Sequence, residues 1–175
     1  MPGWTNFHNK WAEKMDISLS NKDLNFVNRV IDSPDKYQEY LDAVKREAEG
    51  AKRKRDTDIT VEALTIHDVG RKGKREWEKY AGEFQIRFLR SKGSEFVRVW
   101  CLHHVLDRIT WFLNLEHATC IKEIPKTKPE KIFKYLENIT KPFSELEYVK
   151  GFVKSNLRNI VEDCERYHKL KRKSS

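Results

Sequence analysis

The chain has 175 residues, 38% of them hydrophobic and 35% charged, with five Trp and nine Phe among its aromatics. That length carries one domain with a real core, and that aromatic content excludes wholesale disorder. The net charge of +8 and an isoelectric point near 9.3 point to an anionic partner, nucleic acid first.

Read in chain order, the first stretch is helical. Trp4, Phe7, Trp11 and Met15 recur at spacings of three and four, an amphipathic stripe. Ser20 caps a second helix, NKDLNFVNRVID, with Asp23 placed to reach back as a capping box, and Leu24, Val27, Val30 and Ile31 supply its buried face. Ser33-Pro34 starts a third helix with the stripe Tyr37, Tyr40, Leu41 and Val44. This helix becomes polar on every side at EGAKRKRD and runs out into solvent near Gly50 to Asp58. ITVEALTIHDV, residues 59–69, fits a strand or a short helix. GRKGK is a loop, and REWEKYAG is one or two helical turns ended by Gly82.

Residues 83–115, EFQIRFLRSKGSEFVRVWCLHHVLDRITWFLNL, are the most apolar part of the chain. Phe84, Ile86 and Phe88 alternate with Gln85 and Arg87, which suits a strand, because Ile86 and Phe88 fall far apart around a helix. SKGS is a turn signal. From Phe96 onward both templates fit. Phe96, Val99, Trp100, Leu106, Ile109 and Leu113 share a helical face, while FVRVWCLH and ITWFLNL also read as β-branched and aromatic strands. The first run needs a strand partner, so the pattern favours an antiparallel meander. After it, IPKTKP is a rigid linker, a helix starts at Glu130, and Ser144 with Glu147 forms a second capping box. Gly151 marks a break before SNLRNIVEDCERYHKL.

The ordered series GEFQIRFLRS, FVRVWCL, ITWFLNLEHA and KEIPKTKPEKIFKYLENI resembles the RelE/ParE superfamily of toxins, in its phage-derived, HigB-like branch, over residues 70–137. The matching positions are Glu83 to Arg87, Arg98 to Trp100, Ile109 to Leu113 and Pro125 to Pro129. The resemblance implies a metal-independent, ribosome-dependent mRNA endonuclease. Arg87 and Arg98 would lie on the concave face of its sheet, Lys126 and Lys128 would contact phosphate, and an antitoxin or other protein would be a partner. His103 or His104 would supply an acid or base near neutral pH. The third strand ends in Asn114-Leu115-Glu116-His117 where that family has a His/Phe-Lys-Lys run.

Three further patterns stand beside it. Cys101-x2-His104-x12-His117-x2-Cys120 has the ligand spacing of a zinc site, but the intervening VLDRITWFLNLE reads as core, and a single helix would separate the two pairs by roughly 24 Å. No metal or cofactor is therefore expected. Arg98-x4-His103 fits the R-x4-H pattern of HEPN-type ribonucleases if residues 94–115 are helical; Arg98 would then support the scissile phosphate and His103 act as acid or base. Residues 132–139, 144–151 and 154–168 resemble a helix-turn-helix, presenting Lys154, Asn156 and Arg158 to a major groove.

The expectation is an α+β protein with a small antiparallel sheet, the alternative being an all-α bundle. Its regions are a helical segment 1–69, a sheet core 70–129 and a helical, helix-turn-helix-like segment 130–175. The function expected is nucleic-acid binding, RNA favoured over DNA, in the manner of a RelE-like endoribonuclease; the alternative is a non-catalytic DNA-binding regulator. Arg87, Arg98, His103 and His104 are the catalytic candidates, and Lys72, Lys74, Arg75, Lys126, Lys128, Lys154, Asn156 and Arg158 the nucleic-acid contacts. Arg87, Arg90, Lys92, Arg98, Asp107 and Arg108 interrupt the longest apolar run, so no membrane helix is expected. The first residues, MPGWTNFHNKWAEKM, lack a signal-peptide core. With three cysteines in no framework spacing, these features suggest the cytoplasm.

Overall fold

A computed structural model describes residues 4–66, 75–123, 133–134, 136–137 and 143–173. Among them are the helices α1 (Trp4–Glu13), α2 (Asn21–Asp32), α3 (Gln38–Arg53), α4 (Val61–Leu64), α5 (Arg75–Arg90), α6 (Ser94–Glu123) and α7 (Ser144–Lys173), with a 3-10 turn at Pro34–Lys36. No strand occurs among the described residues. The expected α+β class and its sheet are thereby overturned: the fold is all-α.

The local signals of the first helices act as their chemistry requires. Ser20 accepts from the Asp23 amide at 3.2 Å and the Asp23 carboxylate reaches back to the Ser20 amide, closing the capping box of α2. Thr60 caps α4 through the Ala63 amide. The Pro34 start makes only the 3-10 turn, and α3 begins after Tyr37.

The meander fails for a physical reason. Helix α6 is buried around its circumference over its second and third turns, where every residue from Val99 to Leu106 is inaccessible. A helix apolar around its whole circumference has no 3.6-residue stripe to read. Its sequence then mimics a buried strand. Helix α5 is covered from two directions in the same way. Phe84 and Phe88 meet Tyr40 of α3, while Gln85 accepts from the Trp100 indole of α6 at 2.8 Å. Gly82 does not end α5. The turn signal itself is sound: Gly93, at φ +149°, joins α5 to α6 in a conformation that glycine tolerates.

Helix α6 is the axis of the bundle. Helix α2 runs parallel to it, with Phe26 beside Phe96 and Asn28 beside His103. Helix α7 also runs parallel to it: Glu145 lies by Ser94, Tyr148 by Arg98 and Cys164 by Thr110. Helix α1 packs antiparallel to α7, where the Trp11 indole donates to Asp163 at 2.9 Å and Phe7 meets Tyr167. One core draws on all of these helices and on Phe133 and Leu136. At its base Arg90 grips the buried Glu145 carboxylate with two bonds of 2.9 and 3.0 Å. That fork holds the Glu145 carboxyl down at about 2.

Helix α7 runs unbroken through Gly151, so residues 144–151 and 154–168 are one helix with no turn between them. Gly151 is exposed, and a Cβ there would meet nothing within 4 Å. Gly151→Ala is therefore expected to raise stability by about 0.5–1 kcal/mol, as glycine in a helix interior is the poorer residue by that amount. Urea unfolding checks it; a loss of stability would mean that the glycine serves a bend.

Candidate functional site

Where α1, α2 and α6 meet, polar side chains replace apolar ones in the core. His8 of α1 and His103 of α6 stack face to face, ring centroids 3.9 Å apart and planes 5° from parallel. The Asp107 carboxylate, one turn beyond His103, lies across both rings: Oδ1 is 3.0 Å from His8 Nε2 and Oδ2 is 3.2 Å from His103 Nε2. Asp32, the last residue of α2, brings Oδ1 to 3.3 Å from the same His103 Nε2.

The side chains of His103 and His8 are 1% and 3% exposed, whereas those of Asp107 and Asp32 are 34% and 46% exposed. The imidazoles thus form the floor of a recess and the carboxylates its rim.

A chain of amides fixes the floor. His103 Nδ1 lies 2.8 Å from Asn28 Oδ1, Asn28 Nδ2 donates to Asn9 Oδ1 at 2.9 Å, and Asn9 Nδ2 donates to Asn25 Oδ1 at 2.9 Å. Because the Asn28 oxygen can only accept, His103 Nδ1 carries a hydrogen, and Nε2 is turned toward the carboxylates. No oxygen there completes a well-aligned hydrogen bond with His103 Nε2 among the described residues.

The electrostatics pull the groups apart. Burial lowers the affinity of His103 for a proton, but the charge and hydrogen bonding of Asp107, then of Asp32, outweigh it and raise its pKa to about 10. Burial pushes Asp107 up, yet the His103 charge and the bonds from His103 and His8 hold it well below the usual carboxylate range. Asp32 is lowered, the bond and charge of His103 outweighing its burial. His8 is lowered by burial and by His103, against the hydrogen bond to Asp107. His104 is pushed down to about 3 by burial and the same neighbour. At neutral pH the recess holds an imidazolium, two carboxylates and two neutral imidazoles.

The residues expected from sequence to be catalytic are not brought together. Arg87 is exposed and paired with Glu47 at 3.1 Å. Arg98 lies over the Tyr148 ring, 3.8 Å from its centroid, on the α7 side of α6. His103 follows it by five residues, roughly 140° around the helix, and points into α1 and α2. The R-x4-H pair therefore shares no face, and the sheet that would have presented Arg87 and Arg98 is not formed. His104 is buried against the Trp100 ring at 4.4 Å, edge to face. Cys101 and His104 are buried on the same helix that carries His117 and Cys120, roughly 24 Å between the pairs; the four cannot share one ion.

Of the nucleic-acid candidates, Lys72, Lys74, Lys126 and Lys128 and the side chain of Arg75 lie outside the described residues. Lys154 is exposed, Asn156 donates to the Phe152 carbonyl, and Arg158 pairs with Glu162.

His8, Asn28, Asp32 and Asp107 are the functional candidates that sequence reading missed. The available signal was polar residues at buried helical positions: His8 inside the Phe7–Trp11 stripe, and the i, i+4 pairs Asn28–Asp32 and His103–Asp107. The class defined by fold and site is a helical bundle with a buried His/Asp centre open on its carboxylate side. No protein-family model, curated protein or solved structure matches the chain. No described helix is long and apolar enough to cross a membrane.

Proposed function

We propose that this protein binds a nucleic acid, RNA in preference to DNA, through the exposed basic end of α3. The observation that carries the reading is where unpaired positive charge is most concentrated. Lys10, Arg87, Arg90, Lys92, Lys150 and Arg158 each have an acidic partner within the bundle. Lys52, Arg53, Lys54 and Arg55 are all exposed and form no ion pair among the described residues.

The turn that displays them is specific. The Asp56 amide donates to the Ala51 carbonyl at 2.8 Å, closing the helix end with Arg55 in the left-handed position at φ +62°. Glycine is the usual residue there, and a side chain costs about 1 kcal/mol. The chain places an arginine in that position. Four cations on one turn fit a phosphate backbone, their charge outweighing the negative end of the helix dipole on which they sit. The DNA-binding alternative loses its helix-turn-helix, because α7 is continuous where the turn would fall.

Fluorescence anisotropy with labelled single-stranded RNA and duplex DNA tests this. Changing Lys52, Arg53, Lys54 and Arg55 together to Gln is expected to weaken RNA binding at least tenfold. The slope of log K against log salt should fall by about three, roughly 0.7 for each phosphate of a single strand that is no longer neutralised. Arg158→Gln, a residue already paired, should change neither. Equal affinity and slope in the four-site variant would overturn the proposal, and tighter binding to duplex DNA would overturn its preference for RNA.

A further inference from the structure

We propose that His8, His103, Asp107 and Asp32 form a binding site for a divalent first-row transition-metal ion, of the Zn2+ or Fe2+ kind. The site is independent of nucleic-acid binding and takes the opposite kind of ligand.

The geometry is that of ligands drawn from separate elements toward one point. Ligand atoms of His8, His103 and Asp107 all lie within 4.8 Å of one another. An ion about 2.1 Å from two nitrogens holds them roughly 3–4 Å apart, and because the two rings stack face to face, one imidazole turns out of the stack to bring its Nε2 lone pair onto the ion. Asp32 adds a fourth donor atom 3.3 Å from His103 Nε2. The four residues come from α1, α2 and α6, so the fold itself, rather than one helix, assembles the set.

The second observation is the atom left without an aligned partner. His103 Nε2 is buried and is held by two carboxylate contacts of 3.2 and 3.3 Å, neither of them aligned as a full hydrogen bond among the described residues. Buried polar atoms in folded proteins are otherwise almost always paired. Its other nitrogen is held by Asn28, which is in turn held by Asn9. Metal-ligating histidines are supported in this way, one nitrogen on a fixed acceptor and the other aimed at the ion.

Charge and access agree. On binding, His103 releases its Nε2 proton to solvent, so that two carboxylates and two neutral imidazoles balance the dication; mixed imidazole and carboxylate donors suit Zn2+, Fe2+ and Co2+ better than Mg2+, which prefers oxygen alone. The half-exposed Asp32 and Asp107 give the ion its path from solvent to the buried nitrogens. Among the described residues no thiolate joins the set, as Cys101 and Cys164 are both drawn into the core.

The test uses the full chain, free of any affinity tag and dialysed against chelator. Co2+ is titrated by visible absorption and Zn2+ by calorimetry. One ion per chain is expected, with Co2+ ligand-field bands in the visible. Asp32→Asn, a change at a half-exposed rim, should raise Kd at least tenfold while leaving the far-ultraviolet circular dichroism unchanged. His8→Gln and His103→Gln should each raise it about a hundredfold or more, by removing a ligand outright. If a histidine variant fails to fold, Asp32→Asn decides. Absence of one-to-one uptake by the folded protein, or the same Kd in wild type and Asp32→Asn, would overturn the site.

Discussion

Asp107→Leu, in protein stripped of metal, is expected to lose about 3–5 kcal/mol of stability, the usual cost of removing one partner of a buried ion pair. With the largest influence that raises its pKa gone, His103, only 1% of whose side chain is in water, would have Asp32 alone to hold its proton against burial. Its remaining carboxylate would be that of Asp32, and His8 Nε2 would lose the acceptor now 3.0 Å away. Because a domain of this size is stable by roughly 5–15 kcal/mol, the variant approaches the limit of folding.

The paired change distinguishes electrostatics from packing. His103→Leu with Asp107→Leu together should lose less than Asp107→Leu alone, since two apolar side chains in place of a buried pair are often neutral or better. Urea unfolding of both single variants and the double closes the cycle. Additive losses would mean that the two groups do not act as a unit.

This cluster was only half legible in the sequence, and the reason is physical. His103 stands out in the sequence through the Arg98-x4-His103 spacing, but its partners are Asp32 and His8, seventy-one and ninety-five residues earlier in the chain. Nothing in local spacing joins α1, α2 and α6. The helix caps were legible because they are local: Ser20 with Asp23, and the turn at Gly93, need only their neighbours. Helices α5 and α6 were misread because burial on several faces erases the periodicity that distinguishes helix from strand. Alternation at Phe84, Ile86 and Phe88 arose from α5 lying between α3 and α6, not from a pleat. Arg87 and Arg98 were singled out for a sheet face, and each is instead engaged with a neighbouring helix, by Glu47 and by Tyr148.

Trp100→Ala is expected to cost about 3–5 kcal/mol, the range for deleting a large buried aromatic, and to lower Tm by roughly 10 °C at about 2–4 °C per kcal/mol. Trp100 is fully buried in the second turn of α6, and its indole donates to Gln85 across the α5–α6 seam. Trp100→Phe separates the ring from the bond. It should cost about 1–3 kcal/mol, because the Gln85 oxygen is left buried without its donor. Adding Gln85→Met to Trp100→Phe should recover much of that loss, since both polar partners are then gone and the buried Gln85 amide nitrogen, which has no partner among the described residues, is removed as well. Thermal and urea unfolding of these variants provide the check. Trp100 also backs the His104 ring, which meets His103 edge-on at 5.9 Å. Loosening this wall frees His103 from its fixed orientation, so Trp100→Ala should weaken Co2+ uptake, whereas Trp100→Phe, which keeps an aromatic wall, should not. Equal metal affinity in both variants and wild type would mean that α1 and α2 alone hold the imidazole in place.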